Sequence, residues 1–208
     1  MNIDIENMLP ADIEKKSFEI IGRELGGIAL DPVNEPVIKR VIHTTADFDY
    51  AQNLVFSQNA VIIAKEAIQK GAAIVTDTQM AKAGINKNKL AAFGGEVFCF
   101  MADGDVAQAA ASRGTTRAAV SMEKAAELKR PLIFAIGNAP TALIRLYEMI
   151  EKKEIEPLLV VGVPVGFVNV VESKELILRA NVPHIVARGR KGGSNVAAAI
   201  INAILYQI

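Results

Sequence analysis

Five short apolar runs punctuate the chain: AAIVTDT (72–78), EVFCFM (96–101), PLIFAIG (131–137), PLLVVGV (157–163) and HIVARG (184–189). They are nearly continuous in Val, Ile, Leu and Phe rather than alternating, as strands buried on both faces are. Between and after them the period lengthens to that of amphipathic helices, over 105–114, 116–130, 139–153, 173–181 and 192–207. In 116–130, Ala119, Val120, Ala126 and Leu128 form the apolar face; in 139–153, Leu143, Leu146, Tyr147 and Ile150 do. Strand followed by helix, repeated, predicts βα units in a parallel sheet covered on both faces by right-handed crossovers. The expected fold is therefore α/β: a flavodoxin-like, three-layer sandwich around a five-stranded, mainly parallel, doubly wound sheet. In such sheets a ligand sits at the carboxyl ends of the strands.

Residues 1–44 stand outside that alternation. Pro10 predicts the first residue of a helix reaching about Gly26, with Ile13, Ile20, Ile21 and Leu25 as its apolar stripe. Ser17, four residues from both Ile13 and Ile21, falls on the same face. There it either bonds back to a carbonyl one turn earlier or meets a ligand. A second short helix is predicted over 35–42, and one long helix over 45–71, stopped by Gly71. The expected organisation is one domain over 1–208: an N-terminal helical extension (1–44) and an α/β core (45–208).

Composition narrows the function. With 51% apolar residues the chain can build a sizeable core. Its 23 basic and 23 acidic residues cancel, which argues against nucleic acid as a partner, since phosphate binding needs a basic surplus. The longest apolar run, PLLVVGVPVGFVNVV (157–171), is interrupted by glycines, a proline and an asparagine, so no membrane span is expected. The opening MNIDIENM lacks the basic-then-apolar order of a secretory leader. The lone Cys99 reads as a buried thiol that fits a reducing cytoplasm. One cysteine and two separated histidines leave no protein-bound metal expected.

Candidate chemistry concentrates in RVIHTTADFDY (40–50). Thr44 and Asp47 have the spacing of a capping box, which would put His43 at a helix start, near Arg40, in a positive environment. An imidazolium there gives up its proton readily; the ordinary alternative is a surface histidine beside a cap. IGNAPTA (136–142) places Asn138 as a natural helix cap. ARGRKGGSN (187–195) offers three cations and three glycines before a helix, an arrangement suited to carboxylates or phosphates, or simply a solvated turn. SRGTTR (112–117) adds Arg113 and Arg117 at another such junction. His184 reads as structural. Asp77 ends its strand as a phosphorelay receiver would require, but no paired acidic residues accompany it. TDTQMAK also lacks the phosphate loop that a flavin mononucleotide needs.

These stretches, with IEKKSFEII (13–21), VIKRVIHTTADFDY (37–50), TDTQMAKAGI (76–85), SRGTTRAA (112–119), AIGNAPTAL (135–143), VGVPVGFVN (161–169) and RGRKGGSNVAAAIINAIL (188–205), resemble the precorrin-8X methylmutases of cobalamin biosynthesis, in order and over nearly the whole chain. The resemblance implies a [1,5]-sigmatropic methyl shift from C11 to C12 of a corrinoid ring, in a cytoplasmic homodimer that needs no cofactor beyond any cobalt the substrate carries. It implies that His43 donates and accepts the proton and that Ser17 and Arg40 contact the substrate. Thr44, Arg117, Asn138, Gly189, Arg190 and Gly192 complete the expected substrate-binding set, with Val163, Val165 and Phe167 against the ring face. The competing expectation is a non-catalytic module that binds a corrinoid or another anionic cofactor.

Overall fold

The structure, a computed structural model, describes residues 8–208. In chain order it contains α1 (Pro10–Glu24), α2 (Glu35–Thr45), α3 (Tyr50–Asn53), β1 (Leu54–Phe56), α4 (Ala60–Gln69), β2 (Ala73–Thr76), α5 (Gln79–Gly84), α6 (Lys87–Ala91), β3 (Val97–Phe98), α7 (Gly104–Arg113), α8 (Arg117–Ala126), β4 (Leu132–Ile136), α9 (Pro140–Glu151), β5 (Leu159–Gly162), α10 (Val170–Arg179), β6 (His184–Ala187) and α11 (Ser194–Leu205).

The strands form one sheet in the order β1-β6-β5-β4-β2-β3. Strands β2 to β6 are parallel to one another and have the flavodoxin-like order, so the five predicted runs all form strands. Alternation along each strand feeds two cores. Ile74, Ile133, Ala135, Val161 and Ile185 face one layer, to which α1, α2, α4 and α11 contribute. Val75, Phe134, Ile136 and Val160 face the other, filled from α7, α8, α9 and α10. The last helix, α11, lies between the sheet and α2, and its small residues, such as Ala197, Ala199 and Ala203, permit close packing.

Two expectations fail, for one local reason. Residues 45–71 are not one helix, and the sheet has a sixth strand. Ala46 takes a left-handed conformation (φ 53°) and ends α2, and Asn59 does the same (φ 58°) just before α4. Between them Leu54–Phe56 pairs antiparallel with β6 and covers what would otherwise be an open sheet edge. Ser57 extends the contact: its hydroxyl accepts the His184 N–H at 2.8 Å and its N–H bonds the His184 carbonyl at 2.9 Å. His184 is buried, with Nδ1 3.0 Å from the Val182 carbonyl, and is structural, as expected.

Candidate functional site

Helix α1 begins with proline in its first turn and crosses the C-terminal half of α2. Only part of its expected apolar stripe enters the core. Ile21 and Leu25 are buried, whereas Ile13 is 54% exposed. The remaining positions of that face, Ile13, Lys16, Ser17, Ile20 and Glu24, line a cavity of about 810 Å³ whose other wall is Ile42, His43, Ala46 and Phe48. The cavity is thus walled mainly by apolar side chains, with one imidazole, one hydroxyl, Lys16 and Glu24 as its polar groups.

These two groups touch. Ser17 Oγ lies 2.8 Å from His43 Nδ1, so Ser17 bonds across the helix pair rather than back along its own helix. The Phe18 ring stacks on the imidazole, centroid to centroid 5.3 Å, at 27°. With Nδ1 engaged, Nε2 is the nitrogen left for a ligand, and among the described residues it has no partner. In the imidazolium both N–H groups donate: Nδ1 to Ser17, Nε2 to whatever occupies the cavity.

His43 is not at a helix start. It lies in the last turn of α2, where the helix dipole is negative. The Thr44/Asp47 spacing caps nothing. Thr44 is exposed and its hydroxyl donates to the Arg40 carbonyl at 2.9 Å, Thr45 does the same to Val41 at 2.8 Å, and Ala46 closes the helix. The positive helix end inferred for His43 is therefore absent, and its surroundings are set by Ser17 and Phe18 instead.

Arg40 sits one turn before His43 but does not line the cavity. Its guanidinium pairs with Glu14 at 2.6 Å and lies 4.9 Å from the Phe18 ring centroid and 5.3 Å from that of Tyr206. It borders a neighbouring cleft of about 340 Å³ with Phe18, Lys39 and Tyr206. That arginine holds the Glu14 carboxyl below its usual range. Nothing in the sequence pattern singles out Glu14 and Phe18, which flank Ser17 and lie one turn from each other on α1.

The glycine loop after β6 is built differently from an open anion clamp. Lys191 bridges Asp47 and Asp49, 2.6 Å each, and so ties the loop to the turn that carries Ala46 and Phe48. The two carboxylates raise the Lys191 ammonium above its ordinary range. Arg188 pairs with Glu175 at 3.1 Å, and Arg190 lies over the exposed Phe167, 5.5 Å from its centroid. All three cations therefore have internal partners. Gly189, with φ at +80°, and Arg190 are exposed. Gly192 is needed for packing: a Cβ there would lie 2.1 Å from the Val163 carbonyl oxygen. Gly192→Ala should accordingly lower stability by about 1–3 kcal/mol, read by thermal unfolding; an unchanged midpoint would mean that the loop has room to move. Val163 is fully buried and cannot face a ligand, whereas Val165 and Phe167 are 50% and 82% exposed.

Arg117 and Asn138 are exposed, and neither lines the cavity. Asn138 does not cap α9, whose N-cap is Ala139. The cap comes from Asp77, fully buried at the carboxyl end of β2, which accepts the N–H groups of Gly137, Asn138 and Ala139 at 2.9, 2.8 and 2.6 Å. The crevice between β2 and β4, where this sheet order places ligands, is filled by the protein's own carboxylate. Asp77 is therefore not exposed as a phosphoacceptor must be. Among the described residues no group of His, Cys, Asp and Glu is placed to hold a metal ion, and no helix is long and apolar enough to cross a membrane.

Comparison with known proteins gives the site its context. The precorrin-8X methylmutase family matches residues 12–207. The cobalt-precorrin-8 methylmutase of Salmonella typhimurium is 47% identical over 96% of each chain. The precorrin-8X methylmutase of Pseudomonas aeruginosa is 39% identical over 92% of this chain and 93% of its own. The crystal structure of precorrin-8x methyl mutase from Thermus thermophilus superposes with a TM-score of 0.85 at 42% identity, covering 93% of this chain and 96% of that one. With the family matching nearly all of its length and relatives at 39–47% identity, the chain belongs to the precorrin-8X methylmutase family.

Proposed function

We propose that this chain is an isomerase of cobalamin biosynthesis that moves a methyl group from C11 to C12 of precorrin-8X or its cobalt form, giving hydrogenobyrinic or cobyrinic acid, with His43 as proton donor and acceptor. The observation that carries the reading is the Ser17–His43 pair on the wall of a mainly apolar cavity. A corrinoid is a flat apolar ring edged by carboxylates. Ile13, Ile20, Ile42 and Phe48 suit its face, and Lys16 is a cation of the right sign beside it.

The chemistry asks little of the protein beyond one proton and a fixed geometry. Nε2–H of His43 delivers a proton to the conjugated ring, which becomes electron-poor, and the methyl group migrates with its bonding pair to the neighbouring carbon. The imidazole then recovers a proton as the product's conjugation is set. A positioned acid contributes about 10²–10⁴-fold, and orientation in a dry cavity supplies the rest. Cobalt, where present, belongs to the substrate, and the reading requires no separate cofactor. It also carries a homodimer, for which the exposed apolar Leu9 ahead of α1 provides surface to cover, and a cytoplasmic location, in keeping with a free, buried Cys99.

The test is an absorbance time course with precorrin-8X and with cobalt-precorrin-8. Conversion to the corrin spectrum supports the reading; binding without spectral change would mark a corrinoid carrier instead. Ser17→Ala should lower kcat by about ten- to hundredfold, since a hydrogen bond to a charged partner is worth roughly 1.5–3 kcal/mol. An effect confined to KM would make Ser17 a substrate contact rather than a support for His43.

A further inference from the structure

Among the described residues Lys174 is the only buried lysine or arginine. It projects from α10, has no carboxylate partner, and donates to two main-chain carbonyls, those of Gly189 and Lys191, each at 2.8 Å. Burial lowers its pKa to about 8. A buried ammonium that meets only carbonyl groups is a costly way to fill space, and an apolar side chain of equal length would serve better if filling were its whole role.

The two carbonyls belong to the segment that carries Lys191, whose ammonium reaches the turn beside the cavity. Because the peptide unit is planar, turning the carbonyls of residues 189 and 191 inward fixes the path of the main chain between them. That path launches the Lys191 side chain toward Asp47 and Asp49, where it makes both bridges. The bridged turn carries Ala46 and Phe48, which wall the cavity beside His43. The same loop is pinned from behind by the Gly193 N–H on the Val163 carbonyl at 2.8 Å, so Lys174 acts on a segment with little freedom elsewhere.

We propose that Lys174 is a positioning residue for the His43 cavity: its ammonium fixes residues 189–191 so that Lys191 holds the 46–49 turn in place against the cavity. The functional half of this inference rests on the cavity being the corrinoid site; the mechanical half does not.

The experiment compares Lys174→Met, Lys191→Met and the double variant in the full-length protein. Hydrogen exchange of peptides spanning 46–50 is read without ligand, and equilibrium binding of cobyrinic acid is read by absorbance. Two partly exposed bridges correspond to about a threefold to tenfold effect, so each single variant should speed exchange over 46–50 and weaken binding by that factor. The double variant should do no more than the larger single one, because the two residues act in series. The proposal is overturned if Lys174→Met loosens 188–193 but leaves 46–50 unchanged, or if the two effects multiply. Should Lys174→Met fail to fold, the surface variant Asp47→Asn with Asp49→Asn reports the same link from the other end. Faster exchange over 188–193 supports it and unchanged exchange there overturns it. Exchange coupling in a protein that binds no corrinoid would support the mechanical link and overturn the substrate reading alone.

Discussion

His43→Ala is expected to cut methyl migration by about 10²–10⁴-fold while leaving the fold and corrinoid binding in place. The argument for separability is structural. His43 is only partly buried and lies in the last turn of α2, a helix anchored by Val37, Ile38, Val41 and Ile42. Alanine favours a helix, so the backbone is not disturbed. What is lost is the stack on Phe18, worth roughly 0.5–1.5 kcal/mol, and the bond to Ser17, whose hydroxyl lies in a solvent-reachable cavity and can turn to water. The apolar walls remain. The variant should therefore melt near the wild-type temperature, bind cobyrinic acid within a few-fold of wild-type affinity, and show almost no spectral conversion of substrate. Turnover within threefold of wild type would remove His43 from the proton transfer. Loss of binding in parallel with turnover would make it a substrate anchor.

The strands that build the sheet were legible because strands buried on both faces leave long apolar runs that little else produces. Leu54–Phe56 was not, because three residues inside a helix-like stretch become a strand only by pairing with β6, a contact across 131 residues that periodicity cannot express. The break before it has no glycine or proline to announce it, since Ala46 itself takes the left-handed conformation. The error over His43 followed directly: a threonine three residues before an aspartate reads the same at a helix's end as at its start. Ser17 was placed on the correct face by its spacing from Ile13 and Ile21, yet its partner lies 26 residues away and belongs to tertiary structure. The cations of RGRKGGS were equally visible, but charge alone could not reveal that Lys191 is held by Asp47 and Asp49 and Arg188 by Glu175. The family's motifs drew attention to His43 and Ser17; the geometry explains what each does for the other.

Asp77→Ala should be the most destabilising single change outside the apolar core, at about 3–5 kcal/mol for up to three donors left without an acceptor. The carboxylate is fully buried and takes three consecutive main-chain N–H groups at the start of α9. Removing it leaves three donors without an acceptor, each costing roughly 1–3 kcal/mol when buried, less whatever water enters the vacated space. Asp77→Asn should fall between wild type and alanine. One amide oxygen can still serve Asn138 and Ala139, but the NH₂ group would meet the Gly137 N–H donor to donor. The pH dependence separates charge from shape. Burial pushes the Asp77 carboxyl above its usual range, the three N–H groups opposing but not cancelling that shift. A folded-state value raised above the unfolded one means that the folded protein keeps the proton longer. The stability Asp77 contributes is thus fully present below pH 3.8 and declines as pH rises through the folded value. Glu14, Asp47 and Glu123, with carboxyls shifted down by their cationic partners, change stability in the opposite direction. Only the difference between wild type and Asp77→Asn isolates the effect: urea unfolding across the acid range should show that difference shrinking as pH climbs. A difference that grows with pH would mean that the N–H groups outweigh burial. Either way, a carboxylate locked at the switch point of the sheet keeps ligands out of the usual crevice, which is consistent with a site that forms between α1 and α2 instead.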